Sequence, residues 1–371
     1  MKKALFIGGT GVISSACVRR ALEQGFDVTL LNRGNTPAPE GVRVIICDIN
    51  DENSAWKKLM PDGAGISATD GIGVTSSAGA SVTMKYGYMA PGMAYGVNDY
   101  DIVANFAAYR PEQVERDIRL FSGRCGQYIF ISSASAYQKP LTQPVITEST
   151  PLCNPYWQYA RDKIACEAKL MEAYRNDGFP ATIVRPSHTY SEKKVPVVLH
   201  GKAGSWQVLK RIIDGKPVII PGDGLTWWTL TFNEDFANGF AGLMGNPCAI
   251  GEAVHITSDE KLTWNAEYEI LGKLLGRAPV IIHIASDTLI KFDPSLEGPL
   301  LGDKSASVNY DNSKIKRLVP GFFAPTRFDQ GAAAAVSYTL AHPELQIADT
   351  AFDAFCDMLA DKINGIHDAA L

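Results

Sequence analysis

The sequence predicts an α/β protein, a doubly wound parallel sheet followed by a smaller C-terminal α+β lobe. Three observations carry this. Short apolar runs alternate with amphipathic stretches through the first half of the chain, and the first run empties into a glycine cluster. After Arg185 that rhythm gives way to irregular Lys, Pro and Gly clusters that end in Gly222-Asp223-Gly224. Strands that alternate with helices imply parallel pairing with right-handed crossovers.

The elements follow in order. Lys3–Ile7 reads as a buried strand, and residues 11–24 as a helix. Residues 27–31 and 43–47 give two more strands, and 51–60 a short helix. Residues 100–106 and 127–131 are strands of the same kind, with helices at 112–121 and 159–175 and a further strand at 182–184. Ala253–Ile256 reads as a late strand, and residues 263–275 as an amphipathic helix. Residues 1–186 with 228–257 are therefore assigned to a dinucleotide-binding domain, and 187–227 with 258–371 to a substrate lobe.

The chain has 371 residues, 46% hydrophobic and 20% charged, the balance of a soluble protein with a substantial core. A net charge of −5 argues against a nucleic-acid partner, which needs a basic surface to neutralise phosphates. Seven scattered cysteines with no C-x-x-C pair suit reduced thiols and a cytoplasmic setting. The six histidines form no metal-binding motif, so no metal is expected. Glycines cut the first apolar run too short for an export segment, and no run is long enough to span a membrane.

One stretch breaks the pattern. Nearly half of Pro61–Asn98 is Gly, Ala or Ser, which suggests a linker, yet it carries Tyr86, Tyr88, Tyr95 and three methionines. It follows a helix and precedes a strand, so it belongs at the edge of the sheet opposite the ligand crevice. An oligomer contact, in a homodimer, or a flexible surface loop is the expectation, not a lid, and the Tyr and Met content favours the contact.

The glycine cluster is Gly8-Gly9-Thr10-Gly11-Val12-Ile13-Ser14, between a strand and a helix. A pyrophosphate needs bare backbone beside it and a helix N-terminus aimed at it. Gly8 suits the tight turn and Gly11 the close approach, with Val12 and Ile13 opening the helix and Ser14 where a third glycine would stand. This is the Rossmann arrangement for a nicotinamide dinucleotide. The second strand ends in Leu31-Asn32-Arg33-Gly34 with no acid to hold a ribose 2′-hydroxyl, and an arginine can pair with a 2′-phosphate. Asn32 and Arg33 thus favour NADP over NAD. Asp48 and Ile49 end the third strand, where Asp48 can accept a hydrogen bond from the adenine amino group.

Tyr159-Ala160-Arg161-Asp162-Lys163 is a Y-x-x-x-K, which puts phenol and ammonium on one helix face. The cation would lower the phenol's pKa and make it a usable base. A pair at this spacing arises by chance about once in such a chain, so position carries the weight. Tyr159 follows a strand that empties into Ser132-Ser133-Ala134-Ser135-Ala136-Tyr137, and a hydroxyl there faces the cofactor crevice.

Together with Asn105-Phe106-Ala107-Ala108 and Arg185-Pro186, these motifs resemble, in order and spacing, the extended short-chain dehydrogenases of the NAD-dependent epimerase/dehydratase family. The likeness runs from residue 2 to about residue 330, with a gap at 61–98. It implies that Ser133 supplies a hydrogen-bonding hydroxyl, Tyr159 the base and Lys163 the contact to the nicotinamide ribose. It also implies that Ala107, Ala108 and Pro186 pass close to the cofactor, and that Ser133, Ser135, His188 and Trp228 face the substrate. The implied activity is hydride transfer on a sugar or sugar-like alcohol or ketone, in an epimerase or a reductase.

Three features depart from the family. Ser133-Ala134-Ser135 stands where its dehydratases resemble Thr-Asp-Glu, so elimination lacks its acids. Trp228 falls where many members place an arginine on a nucleotide diphosphate, so the substrate either lacks a diphosphate or has its phosphates held by other residues; the alternative is that Trp227 or Trp228 fills the core between the lobes. Gln138 replaces the usual glycine after the aromatic residue. Chloroplast RNA-binding proteins also resemble this fold, with similar Asn-Arg-Gly endings on the second strand. An RNA binder with a vestigial redox site is the alternative, and a redox-sensing module that keeps the glycines but needs no Tyr159 is a third reading.

Overall fold

The computed structural model describes residues 1–59, 73–75, 81–83, 99–143 and 145–369, with side chains to residue 363. The expectation attached to Pro61–Asn98 lies outside the described residues, apart from the backbone of β4 (Gly73–Thr75) and β5 (Ser81–Thr83), an antiparallel pair.

Seven strands make one parallel sheet. They are β1 (Lys3–Ile7), β2 (Asp27–Asn32), β3 (Arg43–Ile46), β6 (Tyr100–Asn105), β7 (Cys125–Ile131), β8 (Ala181–Pro186) and β13 (Ala253–Ile256), in spatial order β13-β8-β7-β6-β1-β2-β3. The chain winds outward from β1 to β3, then returns to β6 and winds the other way. The reversal between β1 and β6 opens a crevice at the carboxyl ends of those strands. Ile7 lies opposite Asn105 there, so the turns that follow both strands face each other across it.

Helices cover both faces, which is why the central strands read as unbroken apolar runs. Ala16, Cys17, Val18 and Ala21 of α1 (Val12–Glu23) share one core with Phe236, Ala237, Phe240 and Leu243 of α6 (Asn233–Leu243). The other face is covered by α2 (Glu52–Leu59), α3 (Pro111–Phe121) and α4 (Gln158–Asp177). Phe6 is fully buried between these layers and stacks on Phe106 at 6.0 Å; its truncation to alanine is worth about 3–5 kcal/mol.

The C-terminal lobe has its own core. It holds α5 (Trp206–Asp214) and α7 (Trp264–Leu275), with β10 (Pro217–Pro221) parallel to β15 (Val280–Ile284) and β11 (Trp227–Trp228) antiparallel to β14 (Leu262–Thr263). Two further strands, β9 (His188–Tyr190) and β12 (Leu230–Phe232), pair in parallel just beyond β8. Helices α5 and α6 went unread in the sequence. The division at residue 258 is also crossed, because Ile315 and Phe322 pack back into the core shared by α1 and α6.

Candidate active site

The glycine turn is shaped for a close approach. Gly8 and Gly9 have φ of 98° and 101°, a region that L side chains rarely adopt. A Cβ on Gly9 would lie 2.8 Å from Leu30 Cδ2, and Leu30 is fully buried, so Gly9 is as constrained as Gly8 although its place in the motif suggests no role for it. Gly11 caps α1, and its N–H donates to Ser14 Oγ at 2.9 Å. Ser14 thus supplies a capping oxygen where a third glycine was expected. The bare turn and the helix N-terminus fit a dinucleotide pyrophosphate, with Val12 and Ile13 giving the first helical amides.

At the end of β2, Asn32 Oδ1 accepts the N–H of Gly34 at 2.9 Å, which leaves Arg33 exposed, with no ion pair among the described residues. Ile49 is buried beyond β3. Asp48 is exposed, and its Oδ1 already accepts from the backbone and side chain of Asn50 at 2.9 and 3.0 Å. The turn after β6 is held from below. Asn105 Oδ1 accepts the N–H of Ala107 at 2.7 Å, while its amide donates to the buried Asp117. Asp117 also takes the phenol of Tyr128 at 2.6 Å and pairs with Arg116 at 2.6 Å; burial still raises its pKa. This support fixes Ala107 and Ala108 beside the crevice.

Ser133, Tyr159 and Lys163 converge at the carboxyl ends of β6 and β7. Ser133 caps a short 3-10 turn over Ala134–Ala136, and its hydroxyl lies 2.8 Å from that of Ser135, which is itself buried. Tyr159 and Lys163 sit one turn apart near the start of α4. Lys163 is buried, and its ammonium donates to the carbonyls of Ala108 and Ile131, each at 2.7 Å. Burial lowers its pKa to about 8.

The phenol departs from expectation. Burial pushes Tyr159 up to about 12, and the hydrogen bond with Ser133 is the main opposing effect. Lys163 is held by two carbonyls, so in the protein alone its charge does not bring the phenol below its ordinary value.

Two residues that sequence reasoning missed stand behind this group. Glu167, one turn beyond Lys163, takes the guanidinium of Arg185 from β8 at 2.6 Å and accepts from the hydroxyl of Ser132. Tyr137 donates or accepts across 2.9 Å with His255 Nδ1, under the guanidinium of Arg185. The i, i+4 spacing after Lys163 was the one signal for Glu167. Pro186 closes β8, opposite Ile256.

The remaining substrate candidates divide. His188 is half-buried, and burial, followed by the charges of Lys304, Lys194 and His200, holds its pKa well below the ordinary value, so it is neutral. Trp228 corrects an expectation. It is 2% exposed and stacks on Trp264 at 5.2 Å in the core of the lobe, while Trp227 is 52% exposed. One face of its indole is taken by another indole.

Among the described residues, no group of three His, Cys, Asp or Glu could hold a metal, and no helix is long and apolar enough to cross a membrane.

With this geometry in place, the chain can be set beside the known proteins it is similar to. Residues 99–256 match the NAD dependent epimerase/dehydratase family. The chain is 26% identical over 280 residues to 2′-dehydrokanamycin reductase of Streptomyces kanamyceticus, covering 74% of this chain and 67% of that one. It is 24% identical over 283 residues to the chloroplast stem-loop binding protein of 41 kDa b of Arabidopsis thaliana, covering 76% and 66%. In fold it is similar to UDP-glucuronic acid 4-epimerase from Bacillus cereus, solved in complex with NAD, with a TM-score of 0.63 at 16% identity over 93% of this chain and 98% of that one. Residues 99–256 thus carry the likeness to the NAD dependent epimerase/dehydratase family, and nearly the whole chain has the Rossmann-like fold of that epimerase structure.

Proposed function

We propose that this protein is an NAD(P)-dependent epimerase or ketone/alcohol reductase acting on a sugar or sugar-like substrate. The observation that carries the reading is the convergence of Ser133, Tyr159 and Lys163 beside a turn whose glycines leave room for a dinucleotide. Gly8, Gly9 and Gly11 would admit the pyrophosphate, and Lys163 would hold the nicotinamide ribose. When bound, the nicotinamide supplies the hydride acceptor or donor.

The protein's own residues handle the proton. Tyr159 takes the hydroxyl proton from the substrate carbinol during oxidation and returns it during reduction. Ser133 hydrogen-bonds the same oxygen and stabilises the phenolate. Burial holds the phenol high in the protein alone, so the positive charge of an oxidised nicotinamide, when bound, would be needed beside Ser133 to bring it toward working pH.

Arg33 supports NADP as the tighter cofactor, because its guanidinium is free to pair with a 2′-phosphate. The experiment is to identify the nucleotide released when purified protein is denatured. Near-stoichiometric NAD favours an internal redox cycle and an epimerase; an empty site that takes up NADPH favours a reductase. Neither nucleotide, bound or taken up, would overturn the proposal.

A second reading rests on the stem-loop binding relative. The net charge of −5 and the complete Ser133, Tyr159 and Lys163 set weigh against it. A salt-dependent RNA gel shift separates the two.

A further inference from the structure

Three segments of the chain meet at the side chain of Asn154, which is 2% exposed. Its amide nitrogen donates to the carbonyl of Ser135 at 2.8 Å and to that of Gly302 at 2.7 Å. Its Oδ1 accepts the N–H groups of Tyr156 and Trp157, each at 3.2 Å. A side-chain amide has two donors and an oxygen with two lone pairs, so all four positions are filled. Turning the amide over would set N–H against N–H and oxygen against carbonyl, which fixes its orientation.

These bonds lead to the residues of the candidate site. Ser135 holds Ser133: its N–H donates to Ser133 Oγ at 3.2 Å, and the two hydroxyls lie 2.8 Å apart. Trp157 is the N-cap of α4, two residues before Tyr159, and the two rings pack with centroids 4.9 Å apart. Gly302 comes from the C-terminal lobe, within a π-helical turn over Leu300–Lys304, a rare form that recurs at functional sites. An added Cβ on Gly302 would lie 2.9 Å from Trp157 Cβ and 3.1 Å from Asn154 Oδ1, so the lobe's backbone rests on this junction. A helix cap needs only the acceptor oxygen. The two donated bonds exceed that requirement, and they run to the hydroxyl turn and to the lobe.

We propose that Asn154 is a positioning residue for proton exchange at Tyr159. It locks the Ser133–Ser135 turn to the start of α4, with the C-terminal lobe as a brace, and so sets the phenol against the Ser133 hydroxyl. A displacement of about 1 Å at a reacting group can cost about 10²-fold in rate, so loosening this junction reaches the chemistry without touching substrate. The inference rests on the reading that Tyr159 exchanges the substrate proton, and it adds what aligns that residue.

The test uses the full chain loaded with NADP, as wild type, Asn154→Leu and Gly302→Ala. Leucine is close to asparagine in size and makes none of the four bonds. Gly302→Ala presses on the brace from the lobe side and keeps the Asn154 side chain, so it serves if the first variant misfolds. Single-turnover hydride transfer, with glucose and myo-inositol as probes, should slow about tenfold or more in Asn154→Leu and by less in Gly302→Ala, with NADP affinity unchanged. In protein labelled with fluorotyrosine, the fluorine resonance of Tyr159, identified by its loss in Tyr159→Phe, should move in both variants.

A Tyr159 resonance that stays in place in both variants would overturn the positioning role. Hydride transfer at the wild-type rate in both variants would overturn it too, while the catalytic reading stands. If the resonance moves but wild type transfers no hydride, the alignment of Tyr159 by Asn154 stands and the catalytic reading fails.

Discussion

Glu167 and Arg185 form a buried, two-armed ion pair one turn beyond Lys163, joining α4 to β8. Both side chains are about 5% exposed or less, so removal of one partner strands the other's charge. Glu167→Gln should therefore cost about 3–5 kcal/mol in denaturant unfolding. A cost below about 1 kcal/mol would mean that water or another acid already satisfies Arg185.

Ser133 lowers the pKa of the Tyr159 phenol by hydrogen-bonding its charged form. Ser133→Ala removes that bond, so the phenol's pKa rises and less phenolate exists at neutral pH. The acid limb of the pH profile for alcohol oxidation should move to higher pH, with the rate at neutral pH falling. An unmoved limb would separate Ser133 from the titrating group.

Arg33 extends from the end of β2 with no ion pair among the described residues. Arg33→Ala should weaken NADP by about 1.5–3 kcal/mol and NAD by much less, as expected for a charged contact to a phosphate. Fluorescence titration with both reduced cofactors reads this directly. Equal losses would make Arg33 a bystander.

Trp228, where the family resemblance implies a diphosphate-binding arginine in nucleotide-sugar enzymes, packs on Trp264. Trp228→Arg would bury a guanidinium in that core, so it should cost about 3–5 kcal/mol in stability and give no gain with UDP-, GDP- or dTDP-sugars. Improved turnover of such a sugar by a stable variant would show that the position opens to substrate.

The sheet was legible because its strands are short, apolar and punctuated, and because β1, the glycines and α1 follow one another without interruption. Tyr159 and Lys163 were legible for a related reason, since one helix carries both. Contacts between distant segments were not. Nothing local to Asn154 or Gly302, 148 positions apart in sequence, says that they meet beside Ser135. Trp228 shows the opposite limit. The position is readable from the motif before it, but only the packing shows that Trp264 covers it. The high pKa of Tyr159 likewise depends on burial, which spacing cannot report.

The central claim is that Tyr159 exchanges a proton with a substrate held for hydride transfer. Its most direct test is a single-turnover absorbance measurement of reduced nicotinamide, with cofactor-loaded wild type and Tyr159→Phe mixed with sugars and polyols. The account predicts formation or consumption of reduced cofactor by wild type, slowed about 10²-fold or more in Tyr159→Phe, with cofactor affinity unchanged. Transfer by Tyr159→Phe within a few fold of wild type would contradict it.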